Sequence, residues 1–349
     1  IRSDFLNGGI HGVYNLAKFP QAFEKFSRNY MSEFELIEEE VDELPNEDFE
    51  FDFTISNTQI LTDLFVPQLS IKDSLKLTGS FSAENQVIEL QTYTNELKVN
   101  DIRFVNPKFN VYSNTEDVFA MAYVNELVLK ESSITDTLKL GLDQLLLNVK
   151  LNHDSAFFNI NWYNLNRELI NKGKIDGLAV LKNTDKINVF LQDAEVFIND
   201  SLWKTTNNGH LTLLNNDLVF DSLEFQSANQ GILINGAISD TLEESFLMRF
   251  KNFNVSAFNI LTAQSGLVFE GFLTGDFELI DVYNNVNFLA NMKWVNFTLN
   301  EEHLGDAEIK STWNTDHSIF LNINLEKQGS KGSFKPLYLE GFYYPDEKK

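Results

Sequence analysis

The sequence predicts an all-β chain: one long, curled β-sheet with a single short N-terminal helix. The first observation behind this is alternation. Phe49-Glu50-Phe51-Asp52-Phe53-Thr54-Ile55 switches between apolar and polar at every residue, and residues 185–192, 319–325 and 337–342 repeat the pattern. Successive side chains on a strand point to opposite faces, so this period builds a sheet with one greasy and one wet face. The second is strand number. Roughly two dozen segments read as strands, and open sheets beyond about 10 strands curl, split or stack. The third is the absence of linkers. The chain has only 6 Pro, and no Pro- or Gly-rich stretch interrupts residues 49–344. Separate sandwiches would need such breaks, so the continuous sheet is favoured. At about 4.8 Å per strand it would extend on the order of 100 Å.

Taken in order, residues 1–14 read as a short strand with a Gly8-Gly9 break. Residues 19–31 read as a helix, with Pro20 in the tolerant first turn. Phe19, Phe23, Phe26 and Tyr30 fall on one face of it. That face docks on a sheet edge or groove mouth, or acts as a plug. Glu38, Glu39, Glu40, Asp42, Glu43, Glu47 and Asp48 surround Pro45 in an acidic run. It reads as a solvated linker, since it lacks the Asp-x-Asp-x-Asp-Gly pattern of a calcium loop. After Pro45 strands follow one another through Asn-, Asp-, Gly- and Ser-marked turns at residues 78–85, 114–117, 131–136, 152–155, 207–209, 215–217 and 329–333. Only residues 164–172 and 255–265 look helical among them. The expected organisation is 1–45 (strand, amphipathic helix and acidic linker), 46–200 and 201–349 (two β-groove segments).

Composition narrows the function classes. Of 349 residues, 43% are hydrophobic, enough for a substantial core. There are 31 Phe against 10 Tyr and 4 Trp. Phe has no polar handle and suits fully apolar surroundings. The formal net charge of −24 opposes nucleic-acid binding. With no Cys there is neither a disulfide framework nor a thiolate metal site. No run of about 18 apolar residues spans a membrane as a helix. No signal peptide is visible, and a start at Ile1 fits a segment excised from a longer protein.

No phosphate loop, HExxH, nucleophile elbow or dinucleotide fingerprint occurs. His11, His153, His210, His303 and His317 are scattered. Carboxylates are numerous enough that a pair will be close by chance, and nothing singles one out. The three Asn-x-Ser/Thr matches at Asn199, Asn254 and Asn296 are expected in a chain this rich in Asn. The expectation is therefore a non-enzyme, with no catalytic residue, cofactor or metal.

One ordered series stands out. Gln230-Gly231-Ile232-Leu233-Ile234-Asn235-Gly236-Ala237-Ile238-Ser239 leads to residues 245–256, then to Gly271, Gly275 and Asp281. Asn296-Phe297-Thr298-Leu299-Asn300, Leu304-Gly305-Asp306 and Ser311-Thr312-Trp313-Asn314 complete it. The series resembles the TamB family of the AsmA-like superfamily, in its Bacteroidota-type form. The likeness is strongest over residues 201–345 and rests on general pattern before that. Gly231, Asn235, Gly236, Gly271, Gly275, Gly305 and Asp306 are expected as turn positions, the glycines at 231, 236, 271 and 275 allowing positive φ or close backbone approach, with Asn235-Gly236 a tight-turn pair.

The resemblance implies a long curled β-sheet forming an open apolar groove, a β-taco. Such a groove bridges inner and outer membranes through the periplasm and carries phospholipid. It also implies an outer-membrane assembly-factor barrel (BamA/TamA-like) as partner, met through regions outside this fragment, and an inner-membrane anchor on the full-length protein. The expected lining is Phe49, Phe51, Phe53, Leu75, Leu77, Leu138, Leu140, Leu145, Leu147, Val149, Phe158, Ile160, Ile187, Val189, Leu191, Phe246, Met248, Phe250, Ile319, Leu321 and Ile323. Each is equally readable as ordinary core. The competing functions are a scaffold for outer-membrane protein insertion and an extracellular adhesin or glycan-binding module. No strict 20–50-residue repeat supports a regular solenoid.

Overall fold

The structure is a computed structural model. It describes residues 3, 5–15, 17–31, 46–56, 58–59, 62, 66–100, 102–130, 140–163, 171–183, 186–206, 209–215, 217–239, 241, 244–262, 266–280, 283, 287–313, 318–329 and 332–344. Among these residues the chain forms 23 strands of one antiparallel sheet, with little helix. It divides into two compact units, Ile1–Ile187 and Asn188–Lys349.

In the first unit the strands are β1 (Leu6–Val13), β2 (Asp48–Ser56), β3 (Leu69–Lys72), β4 (Ser74–Ser82), β5 (Val87–Tyr93), β6 (Glu96–Val99), β7 (Ile102–Val105), β8 (Lys108–Ser113), β9 (Val118–Lys130), β10 (Leu140–Asn152), β11 (Ser155–Tyr163) and β12 (Lys172–Asn183). A helix, α1 (Phe19–Arg28), follows β1. The main ladder runs β1–β2–β4–β5–β8–β9–β10–β11–β12. A side ladder runs β3–β6–β7 and rejoins β9. Thus β7 and β8 share one long partner: Phe104 opposes Leu127 and Phe109 opposes Ala122.

The interruptions between these short strands line up as a crease. Asp73 (φ 69°) separates β3 from β4, and Asn106 (φ 49°) with Pro107 separates β7 from β8. Between β5 and β6, Asn95 accepts the Asn106 N–H at 2.7 Å on its carbonyl. Its amide donates to Asp73 Oδ2 at 3.0 Å. Asn and Asp tolerate the left-handed conformation that such a bend requires, and local side-chain bonds replace the interrupted ladder.

The second unit carries all but the first two residues of β13 (Lys186–Ile198), then β14 (Ser201–Thr205), β15 (His210–Leu214), β16 (Asp217–Ser227), β17 (Gln230–Ile238), β18 (Ser245–Asn254), β19 (Phe269–Ile280), β20 (Asn287–Leu299), β21 (Glu302–Trp313), β22 (Ile319–Gly329) and β23 (Gly332–Tyr343). From β16 to β23 each strand pairs with the next. A 3₁₀ turn (Val255–Phe258) and a one-turn α-helix (Asn259–Thr262) follow β18, matching the helical reading of this region. Asn254 caps the start, its side chain accepting the Ser256 N–H at 3.1 Å.

Three bulges in this unit share one device. The N–H of Ser222 (φ 52°) is accepted by Asn235 Oδ1 at 3.0 Å. That of Asn252 (φ 45°) is accepted by Thr274 Oγ1 at 3.0 Å. That of Asn296 (φ 55°) is accepted by Asp306 Oδ1 at 2.9 Å. In each case the extra residue loses its ladder partner, and the side chain opposite takes the orphaned donor.

This corrects the turn expectation. Gly231, Asn235 and Gly236 lie within β17, Gly271 and Gly275 within β19, and Gly305 and Asp306 within β21. The confusion is physical, since turns and bulges both need positive φ, as at Gly236 (φ 91°). Likewise β1 runs through Gly8-Gly9 without a break, and Thr78-Gly79 sits inside β4. The first helix ends at Arg28, yet Tyr30 beyond it is only 1% exposed. Leu138, the turn at residues 131–136, the helical reading of residues 164–170 and most of the acidic run lie outside the described residues.

Candidate functional site

Directly opposed residues on paired strands share a face, so the register identifies what each face carries. In the first unit one row reads Phe53, Leu77, Thr92, Phe109, Ala122, Leu147, Ile160 and Ile175 from β2 to β12. The neighbouring row reads Phe51, Gly79, Leu90, Val111, Ala120, Val149, Phe158 and Gly177. Thr92 is the one polar side chain in the two rows. Ile55 with Leu75, and Val124 with Leu145, extend the same face. On the opposite face the matching row is Asp52, Thr78, Gln91, Asn110, Met121, Asn148, Asn159 and Asp176.

A third apolar row, Phe49, Phe81 and Ile88, then Val118, Leu151 and Ala156, is where α1 sits. Phe19 meets Phe49 and Phe81 edge-on at 5.7 and 5.4 Å, and Phe26 meets Phe81 at 5.6 Å. The Tyr30 hydroxyl lies 2.5 Å from the Asn114 carbonyl and 3.2 Å from that of Gln86. The Asp154 N–H donates to the Tyr30 carbonyl at 2.9 Å. The helix is thus tied across three hairpin ends, and burial pushes the Tyr30 phenol up in pKa. At the same end Asp117 accepts from Asn152 Nδ2 at 2.7 Å and pairs with Lys150 at 3.0 Å. The Asn152 bond first, then Lys150, hold its carboxyl below the usual range.

Among the described residues, the rows between the footprint of α1 and the buried Val124 and Val128 are not fully covered. Leu77, Leu90, Val111, Ala120, Ala122, Leu147, Val149, Phe158, Ile160 and Ile175 all keep part of their surface accessible. Phe109 is 39% exposed.

The second unit has its own apolar face. One row reads Phe225, Ile232, Phe250, Gly275, Met292, Ile309, Ile323 and Leu339. Leu223, Ile234, Met248, Phe277 and Ala290 run beside it, as do Gly236, Phe246, Leu279 and Phe288. Ser311 with Leu321, and Trp313 with Ile319, continue it. Here too a short helical segment covers part of the face: Val255 and Ala257 join a cluster of Trp203, Phe250, Phe253 and Leu273.

No family model, curated protein or solved structure matches this chain.

The face is therefore defined by register and accessibility. Apart from Ile187, every lining residue expected from the sequence whose side chain is described falls on the apolar face of its own unit. For β13 the assignment comes from neighbours. Thr212 Oγ1 donates to Asn188 Oδ1 at 3.0 Å and Phe190 stacks on His210 at 5.2 Å. His210 and Thr212 point away from Leu211 and Leu213, so Val189 and Leu191 share the face of those leucines, and Ile187 shares their parity. Leu140 opens β10. Sequence reasoning missed Leu90, Val111, Ala120, Ala122 and Ile175. The alternation Ile88-Glu89-Leu90-Gln91 was the available signal for Leu90. Among the described residues no group of three or more acidic or His side chains could hold a metal ion. No described helix is long and apolar enough to cross a membrane.

Proposed function

We propose that this chain is a segment of a bridge-like lipid carrier whose apolar β-face holds phospholipid acyl chains. The observation that carries the reading is the pair of apolar rows crossing eight strands of the first unit, partly accessible and almost free of polar groups. Burying a methylene gains about 0.8 kcal/mol, so a 16-carbon chain gains about 13 kcal/mol gross. Eight strands span roughly 35 Å, against about 15 Å for one leaflet of a bilayer core. A single tail fits with room to move along the row. With Thr92 the one side-chain hydrogen-bond donor in the rows, little fixes it at one strand. The likeness to the TamB family supports the same reading and adds its setting. That setting is the bacterial periplasm, between an inner-membrane anchor and an outer-membrane assembly-factor barrel, with a role in outer-membrane biogenesis.

The test is lipid extraction and native mass spectrometry of the purified 349-residue chain. Co-purifying phospholipid at stoichiometric level is expected, with Val111→Asp and Val149→Asp reducing it at least tenfold while leaving the circular dichroism of the sheet unchanged. Protein free of lipid after membrane-mimetic incubation would contradict the proposal.

A further inference from the structure

The polar face of the first unit has a feature of its own. Beside the crease, β4, β5, β8 and β9 frame an open concavity of about 790 Å³. This lies within the range of small-molecule sites, about 300–1,000 Å³. Its walls include two aromatic side chains, Tyr93 and Tyr123, two lysines, Lys76 and Lys108, and the amides of Gln91 and Asn110. The tyrosines are held in place. The Tyr93 hydroxyl donates to Asn95 Oδ1 at 2.7 Å and that of Tyr123 reaches Asn125 Oδ1 at 3.5 Å. Lys108 Nζ stands 5.8 Å from the Tyr93 ring centre.

The lysines differ from two others of this unit. Elsewhere in the same unit Lys150 pairs with Asp117 and Lys174 with Asp176. Among the described residues neither Lys76 nor Lys108 has a carboxylate partner. Two uncompensated cations in one hollow of a chain with net charge −24 leave a local positive field. The adjoining hollow carries Glu50, Asp52 and Glu89, which confines that field to a short stretch.

We propose that this concavity binds a short anionic saccharide. Sugar rings present apolar C–H faces that stack on Tyr93 and Tyr123. Ring hydroxyls exchange hydrogen bonds with Gln91 and Asn110, whose amides both donate and accept. Carboxylate or phosphate substituents meet Lys76 and Lys108 in charge-assisted bonds. The acidic hollow alongside selects against long polyanions. The site lies on the face opposite the apolar rows, so it stands whether or not lipid occupies those rows.

Calorimetric titration of the 349-residue chain with tetragalacturonate, maltotetraose and inorganic phosphate tests this. Tetragalacturonate is expected to bind, with affinity falling as salt rises. Lys76→Gln and Lys108→Gln are each expected to weaken it about fivefold, and Tyr93→Leu about tenfold. Maltotetraose should bind at least tenfold more weakly. Both lysines are exposed and lack a carboxylate partner among the described residues, so their variants keep the fold, as circular dichroism will verify. No tetragalacturonate binding, equal binding of maltotetraose, competition by equimolar phosphate, or unchanged affinity in both lysine variants would each overturn the proposal.

Discussion

At Gly177 a Cβ would stand 2.2 Å from Cζ of Phe158, whose ring lies over the glycine across the β11–β12 pair. The absence of a side chain is what lets the ring lie flat on the apolar face. Gly177→Val is expected to destabilise the first unit by about 1–3 kcal/mol through overpacking, read as a lower urea midpoint. A midpoint unchanged from wild type would contradict this packing. Asp117 makes a pH-dependent contribution of definite sign. Its folded carboxyl is depressed, by Asn152 first and then Lys150. Its contribution is therefore present above the ordinary carboxylate range and lost as pH falls through the folded value. Thermal melting of wild type and Asp117→Asn should differ at neutral pH and converge in acid. A gap independent of pH would contradict the pairing.

The bulges are the clearest devices at the scale of elements. Asp306→Ala leaves the exposed Asn296 N–H to water in place of its acceptor, and about 0.5–1 kcal/mol of stability should go with it. Hydrogen exchange at the Asn296 amide should speed up, while the amides of β18 stay protected; uniform change across the second unit would contradict a local role. Existence of most strands was legible in the sequence because period-2 alternation is a local signal. Glu50, Asp52 and Thr54 between Phe49, Phe51, Phe53 and Ile55 needed no tertiary information. The bulges were legible only as positive-φ residues, so Asn235-Gly236 read as a turn. What distinguishes the two is the partner across the sheet, Ser222, which lies 13 residues away. The helix face of Phe19, Phe23, Phe26 and Tyr30 was readable from 3–4 spacing. Its seat across the hairpin ends at Gln86, Asn114 and Asp154 depends on contacts from 56 to 84 residues distant for the first two.

For the molecule as a whole, the candidate site was only partly visible in the sequence. Large side chains such as Phe51, Leu147 and Phe158 announced the apolar face. Ala120, Ala122, Gly79 and Gly177 complete its rows and carry almost no hydrophobic signal of their own. The register alone reveals that they stand beside the large residues. The crease-side concavity was not visible at all, because Lys76, Tyr93 and Lys108 sit on three strands whose pairing had to be known. The proposed lipid role predicts that Phe51→Asp blocks passage of phospholipid while the flanking β1 and β4 pairings persist. Unaltered transfer between donor and acceptor vesicles in that variant would count against it.

The central claim is tested most directly by photocrosslinking at consecutive positions of one strand. A photoreactive amino acid is placed in turn at Leu147, Asn148, Val149 and Lys150 of β10, and the protein is exposed to phospholipid vesicles. The account predicts lipid adducts at Leu147 and Val149 and none at Asn148 and Lys150. Adducts at all four positions, or at none, would contradict it.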